Sequence, residues 1–255
     1  MYQFKDEINY INFFRFNKIL VTQRLWANLP NASKSVYPVI LVHCDATGLA
    51  FPGQKIIAIL SGRTEKTVRE GIKGLEGFPG FKACKILTGR GHRAFRYKIN
   101  ITPNEKGRSF ALHKCLFETG YWRKLSPCAH SLYITMRTFA FFDGELYCEL
   151  EDLEEFNSHN VKLLIETGVY QKREYDFVNA EMDVLAEYAG ISSNGGLQDA
   201  LNSLERNNLI ESIDLFGGYD TWKIFRIPPI FFPPSLLNNE VKKRYFNRET
   251  TANSN

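Results

Sequence analysis

Phe51–Ile99, FPGQKIIAILSGRTEKTVREGIKGLEGFPGFKACKILTGRGHRAFRYKI, is the stretch that decides the fold. A short apolar segment, Gln54 to Leu60, reads as a helix and runs into Ser61-Gly62-Arg63, a turn built around a glycine. A second helix is predicted over Thr64 to Leu75. Two β-rich runs follow, joined by Thr88-Gly89-Arg90-Gly91-His92, where two glycines permit a tight reversal. Helix, turn, helix and β-hairpin in this order form a helix-turn-helix with a hairpin wing. The stretch carries 11 Lys or Arg against 3 Asp or Glu, a net of +8, whereas the whole chain carries only +4.

On a helical wheel of ~100° per residue, Val68, Ile72 and Leu75 fall on one side of the second helix, and Lys66, Arg69, Glu70 and Lys73 on the other. A helix that enters a DNA major groove needs this division, an apolar back to anchor it and a polar, basic front to reach bases and phosphates. Thr64 is placed to cap the helix and leave backbone N–H groups facing a phosphate. Arg63, Thr64, Lys66, Thr67, Arg69 and Lys73 are therefore the expected groove residues. On the hairpin, Lys82, Lys85, Arg90, His92, Arg93, Arg96 and Lys98 add cations. Of these, Lys85, Arg90, His92, Arg93 and Arg96 are expected to lie over the backbone or minor groove.

Working outward, the chain contains a repeat. FRFNKILVTQRLWANLPNASKSVY (Phe14 to Tyr37) and FALHKCLFETGYWRKLSPCAHSLY (Phe110 to Tyr133) superpose at a shift of 96 residues. Phe14 then meets Phe110, Lys18 meets Lys114, Leu20 meets Leu116, Trp26 meets Trp122, Leu29 meets Leu125 and Tyr37 meets Tyr133. Each segment reads as a strand-like lead-in and a helix that buries one Trp and one Tyr. The helix-turn-helix frame recurs as well. Ile57-Ala58, Gly62 and Thr64 match Leu185-Ala186, Gly190 and Ser192, while Val68, Ile72 and Leu75 match Leu197, Leu201 and Leu204 one residue further on. ESIDLFGGYDTWKIFRI supplies a second hairpin, with Gly217-Gly218 in its turn.

The expected fold is α+β, two tandem winged-helix domains. An arm, 1–13, precedes a basic DNA-binding domain, 14–104. A second, acidic domain occupies 110–230 and carries about 32 extra residues, assigned to an insert near 143–178 that is rich in Glu at its start. A Pro-containing basic tail, 231–255, closes the chain. Residues 1–110 carry +11 and residues 111–255 carry −7, which suggests that one half faces a polyanion and the other does not. The second reading helix, GGLQDALNSLERNN, offers Gln198, Asp199, Asn202 and Glu205 in place of Lys66, Arg69 and Lys73. It brings little phosphate neutralisation. The second domain is therefore expected to serve dimerisation or a protein contact, with its insert either padding the core or meeting a partner.

Other classes find less support. Hydrophobic residues at 44%, with 14% aromatics, are enough for a packed core and argue against wholesale disorder. No apolar run approaches a membrane span, and the start of the chain does not read as a secretory signal. Five cysteines without a C-x-x-C pair fit reduced thiols, so a cytoplasmic, nucleoid-associated protein is expected. There is no G-x-x-x-x-G-K-[ST], G-x-S-x-G or H-E-x-x-H motif, so neither an enzyme nor a cofactor is expected. His113-x-Cys115 and Cys128-x-His130 are zinc ligand types at an unusual spacing. The repeat sets His113 and Cys115 opposite Asn17 and Ile19, ordinary strand positions, so no metal site is expected.

The frame F-P-x-Q … A-x-x-x-G-x-T-x-x-T-V-x-x-x-I-x-x-L, spanning 51–75, resembles the helix-turn-helix domain of phage and plasmid replication proteins and of bacterial regulators of the same shape. The tandem arrangement is similar to plasmid replication initiators built of two winged helices. The resemblance implies a sequence-specific double-stranded DNA-binding protein with a replication or transcription partner, acting as a replication initiator of a mobile element. The alternatives are a transcriptional regulator and a protein-interaction module.

Overall fold

The computed structural model describes residues 13–45, 47–87, 93–100, 109–140, 176–213 and 222–227. Strand β1 (Phe13–Asn17) leads into a single helical turn, α1 (Ile19–Thr22). Helix α2 (Asn31–Val42), the two-residue strand β2 (Leu49–Ala50), α3 (Gln54–Ser61) and α4 (Glu65–Gly74) follow. The hairpin β3 (Phe81–Leu87) and β4 (Arg93–Ile99) completes the first half. The second half repeats the order, with β5 (Ser109–His113), α5 (Cys115–Glu118), α6 (Tyr121–Lys124) and α7 (Pro127–Phe139). Then come β6 (Asp176–Glu181), α8 (Met182–Ala189), α9 (Asn194–Arg206), β7 (Glu211–Ile213) and β8 (Trp222–Ile227). The architecture is mixed α+β with small antiparallel sheets, and the three-stranded sheets have matching orders, β2-β4-β3 and β6-β8-β7.

The 96-residue shift is visible in space. It maps β1 onto β5 residue for residue, and these two strands pair antiparallel with Arg15 opposite Ala111, its own counterpart. A pseudo-two-fold axis therefore passes through that pair. Two further contacts cross the axis in both directions. Trp26 Nε1 donates to the Ser131 carbonyl at 3.4 Å, and Trp122 Nε1 donates to the Ser35 carbonyl at 3.1 Å. Gly62 and Gly190 end α3 and α8 with φ of +66° each, and a Cβ on Gly62 would lie 2.1 Å from the Arg123 carbonyl oxygen, one on Gly190 2.1 Å from that of Ala27. Ala27 and Arg123 are themselves counterparts. Only glycine allows both the left-handed helix end and this approach.

The halves share one core. Phe16 from the first stacks on Phe110 from the second at 5.3 Å and meets Trp26 and Tyr37 edge-on. Every apolar residue of the repeat frame, from Phe14 and Phe110 to Tyr37 and Tyr133, is buried. The sequence places a Trp and a Tyr on one helix, but Trp26 sits in the turn before α2, which carries Tyr37, and Trp122 in the short α6 ahead of α7, which carries Tyr133. The two rings pack at the crossing point rather than along a helix face. The expected insert, 143–178, ends too late. Asp176 to Val178 already belong to β6, because they pair with β8 as β2 pairs with β4. The rest of that insert, most of the N-terminal arm and all of the basic tail lie outside the described residues, as does the glycine-bearing turn between β7 and β8.

Candidate nucleic-acid interface

Helix α4 presents the division of faces expected of it. Val68, Ile72 and Leu75 are buried, while Lys66, Arg69, Glu70 and Lys73 are exposed. Thr64 caps the helix, its hydroxyl accepting the Thr67 N–H at 3.2 Å and lying 3.0 Å from Thr67 Oγ1. Gly71 inside the helix, where glycine costs up to ~1 kcal/mol relative to Ala, and Gly74 at its last position have a reason to be there. A Cβ on Gly71 would lie 2.8 Å from the Ala32 carbonyl oxygen, and one on Gly74 would lie 2.4 Å from Ser33 Oγ. Ser33 Oγ donates to the Gly71 carbonyl at 2.8 Å, locking α4 to the start of α2. The basic helix is thus held by backbone contact, which leaves its long cationic side chains on the opposite face.

The hairpin extends the positive surface. Lys82 and Lys98 are a cross-strand pair, as are Cys84 and Arg96, and all four share one face because side chains alternate along each strand. Lys82, Cys84 and Arg96 are exposed, while Lys98 donates to the Thr47 carbonyl. On the other face Lys85 Nζ lies 5.9 Å from the centroid of the Phe95 ring, a cation–π contact at the open end of the core. Arg90 and His92 of the hairpin tip lie outside the described residues, as does the side chain of Arg93.

Arg63 departs from its expected place. It follows the Gly62 turn, and its guanidinium points into the junction between halves. Nε donates to Ser35 Oγ, and Nη2 to the Leu125 carbonyl and toward His130 Nδ1, each at 3.3 Å. Burial holds its pKa below the usual guanidinium range. It belongs to the architecture and is removed from the groove set. Residue type and position could not reveal this, because the partners Leu125 and His130 come from the other half of the chain.

His130, one of the four candidate zinc ligands, is also committed there. Its Nε2 lies 2.7 Å from the Trp122 carbonyl, and its Nδ1 lies 2.8 Å from Ser35 Oγ. A carbonyl can only accept, so Nε2 carries the proton. Arg63 can only donate, so Nδ1 offers a lone pair. The imidazole is therefore neutral, and burial pushes its pKa down to about 3. The counterpart of His130 under the shift is Lys34, whose Nζ donates to the Ala27 carbonyl at 3.0 Å and the Ala189 carbonyl at 2.8 Å. Burial lowers the Lys34 pKa to about 8. Among the described residues no group of three or more His, Cys, Asp or Glu side chains lies together as a metal site would require.

The equivalent surface of the second half is different in kind. Gln198 and Asp199 are exposed on α9, and Gln198 Nε2 donates to Asn202 Oδ1 at 3.0 Å, so these two amides bond to each other. Arg69 and Lys73 have Gln198 and Asn202 as counterparts, and the cations are lost at both positions. Among the described residues no helix is long and apolar enough to cross a membrane. No family model matches this chain, and neither the curated proteins nor the solved structures contain a significant match to it.

Proposed function

We propose that each half is a winged helix and that the protein is a sequence-specific double-stranded DNA-binding protein. In this reading α4 enters the major groove, with Lys66, Arg69 and Lys73 reaching bases or phosphates and Thr64 and Thr67 at the phosphate-facing end. The β3–β4 hairpin lies along the adjacent backbone, where Lys85, Arg90, His92, Arg93 and Arg96 contribute charge. The observation that carries this is α4 itself, a helix clamped at its back by Gly71 and Gly74, with three exposed cations in front and a cationic hairpin beside it. The resemblance of the 51–75 frame, and of two like halves in one chain, to plasmid replication initiators favours a replication initiator of a plasmid, phage or other mobile element over a regulator.

The test is selection from fragmented genomic and random DNA at moderate salt, followed by sequencing of what stays bound. Directly repeated sites support the initiator reading, and a palindrome beside a promoter supports a transcriptional regulator. Salt-sensitive retention without enrichment overturns sequence-specific recognition. In the same assay Arg69→Ala should weaken specific binding by ~1–3 kcal/mol, and Arg96→Ala should lower the salt slope by about 1 with little change in sequence preference. Wild-type binding by both variants refutes the proposed surface.

A further inference from the structure

Helices α3 and α8 are counterparts at a shift of 128 residues, and each ends on its left-handed glycine, Gly62 or Gly190. Their solvent faces carry matched positions of opposite character. Lys55, Ile56 and Ile59 on α3 correspond to Asp183, Val184 and Glu187 on α8. These spacings, i, i+1 and i+4, place each trio on one helix face. Of the large apolar side chains exposed among the described residues, most lie here. Ile56 is 46% exposed, Ile59 49% and Val184 36%, and Phe51, just before α3, is 57%.

The two faces complement each other in charge. Helix α3 has no acidic residue, and its C-terminal glycine rests on Arg123, whose side chain is exposed. Around the α8 face stand three exposed carboxylates, Glu181, Asp183 and Glu187. Within one chain Glu187 is met by Arg24 at 2.7 Å, and the Arg24 guanidinium lies 5.2 Å from the Tyr188 ring centroid. The counterpart of Arg24 on the α3 side is Gly120, against which the Arg123 side chain lies, and Ile59 stays exposed. The pseudo-two-fold thus leaves an apolar, cation-rimmed helix face at one end of the molecule and an acid-rimmed one with a single exposed aliphatic at the other.

We propose that the α3 face of one copy docks on the α8 face of a second copy, with Ile56 and Ile59 packing around Val184 and Lys55 pairing with Asp183. The two faces differ, so the contact is heterologous and leaves a free face of each kind on every oligomer that does not close into a ring. Association continues head to tail, and does not stop at a dimer. Two helices of eight residues, each ~12 Å long, make a small contact, so the affinity is weak, with a Kd on the order of 10–100 μM. This inference does not rest on DNA binding, and its test contains no DNA.

The experiment is sedimentation velocity of the full chain over roughly 10–300 μM, a range bracketing that affinity. The wild type should show a sedimentation coefficient that rises with concentration past that of a dimer. Ile59→Glu, which spoils only the α3 face, and Asp183→Lys, which spoils only the α8 face, should each sediment as monomers. Mixed at equal amounts they still possess one intact face of each kind, so the mixture should form a 1:1 dimer and stop there. Lys55→Asp, a change at an exposed position, should also be monomeric, and Lys55→Asp with Asp183→Lys in one chain should restore association. A wild type that stays monomeric across the range overturns the proposal. So do a mixture that remains monomeric while the wild type associates, and a swap that fails to restore, because each means that a different surface, an isologous contact or a different occupant is in play.

Discussion

The neutral imidazole of His130 makes a quantitative demand on acid stability. The ring is enclosed by Trp122, which stacks on it at 4.2 Å, by the Trp122 carbonyl, by Ser35 Oγ and by the Arg63 guanidinium. Protonating Nδ1 would turn a hydrogen-bond acceptor into a donor facing another donor. The folded pKa is about 3 against an ordinary 6.5, depressed first by burial and further by the Arg63 charge. Below pH 6.5 the unfolded chain binds a proton that the folded chain refuses, so stability is full above 6.5 and falls as the pH drops toward 3. Each unit is worth ~1.4 kcal/mol, so going from pH 7.5 to pH 4 costs about 3 kcal/mol from this group alone. That is a large part of a typical domain stability of ~5–15 kcal/mol. The assay is urea denaturation at several pH values, read by fluorescence of the buried Trp26 and Trp122. Carboxylates titrate in the same window, and Asp45, whose pKa is lowered by its bond to Thr47, is one of them. The comparison is therefore with His130→Gln, which keeps a donor for the Trp122 carbonyl and has no proton to gain. The variant should be less stable at pH 7.5 and should lose about 3 kcal/mol less than wild type on going to pH 4. Parallel pH curves, or an NMR titration of His130 near 6, would refute the buried neutral imidazole and the junction built around it.

Three further outcomes follow from the same geometry. Gly62→Ala and Gly190→Ala should each cost ~2–5 kcal/mol by thermal or chemical unfolding, since each forces a Cβ into a left-handed position and against a carbonyl of the other half; a neutral result at both would mean that the reciprocal contact is absent. Trp26→Ala and Trp122→Ala should each cost ~3–5 kcal/mol in urea, and the two losses should be non-additive because both rings close the same junction. Gly71→Ala should lower stability by ~1–3 kcal/mol despite the better helix propensity of Ala, by prising α4 from Ala32; a stabilised variant would show that α4 stands off from α2.

Much of this fold is legible in the chain, for reasons that are local. Helix and strand periods, the Gly62 turn and the Thr64 cap are encoded within a few residues, and the structure puts α3, α4, β3 and β4 where those signals lie. The repeat was readable because buried aromatics are costly to replace, so the Trp and Tyr frame stands out between otherwise different segments. The pairing of β1 with β5 was not readable. A strand states its own period but not its partner, and these two meet only across the length of the first half, from Asn17 opposite Ser109 to Phe13 opposite His113. The same limit explains Arg63. Next to a turn and at the head of a basic helix it has every local mark of a groove residue, and only the folded position of Leu125 and His130 turns it inward. Lys34 shows the converse: in sequence it is one more surface cation at a helix start, yet it lies buried on two carbonyls from opposite halves.

The duplicated halves agree at the contacts they make reciprocally, though not at Lys34 against His130, and disagree where they face solvent. Trp26 and Trp122, Ser35 and Ser131, and Gly62 and Gly190 fill matching roles across the pseudo-axis. Lys55 against Asp183, Ile59 against Glu187, Arg69 against Gln198 and Lys73 against Asn202 do not match at all. A second DNA-reading unit would need cations at the last two pairs, because phosphate neutralisation dominates affinity. In the proposed reading one half therefore grips DNA, and the other holds that half rigid and offers a differently charged surface. The rigidity has a physical source, since the halves exchange a strand pair, two indole hydrogen bonds and two glycine contacts. A helix-to-duplex fit set by the first half then fixes the direction in which α8 of the second half points. If copies bind repeated sites, their α3 and α8 faces recur at the spacing of those sites, so head-to-tail contact would be favoured at one repeat length and strained at others. Inserting half a helical turn, about 5 base pairs, between two sites should abolish cooperative binding while leaving the affinity for a single site unchanged. Cooperativity that survives the insertion would separate the α3–α8 contact from DNA binding altogether.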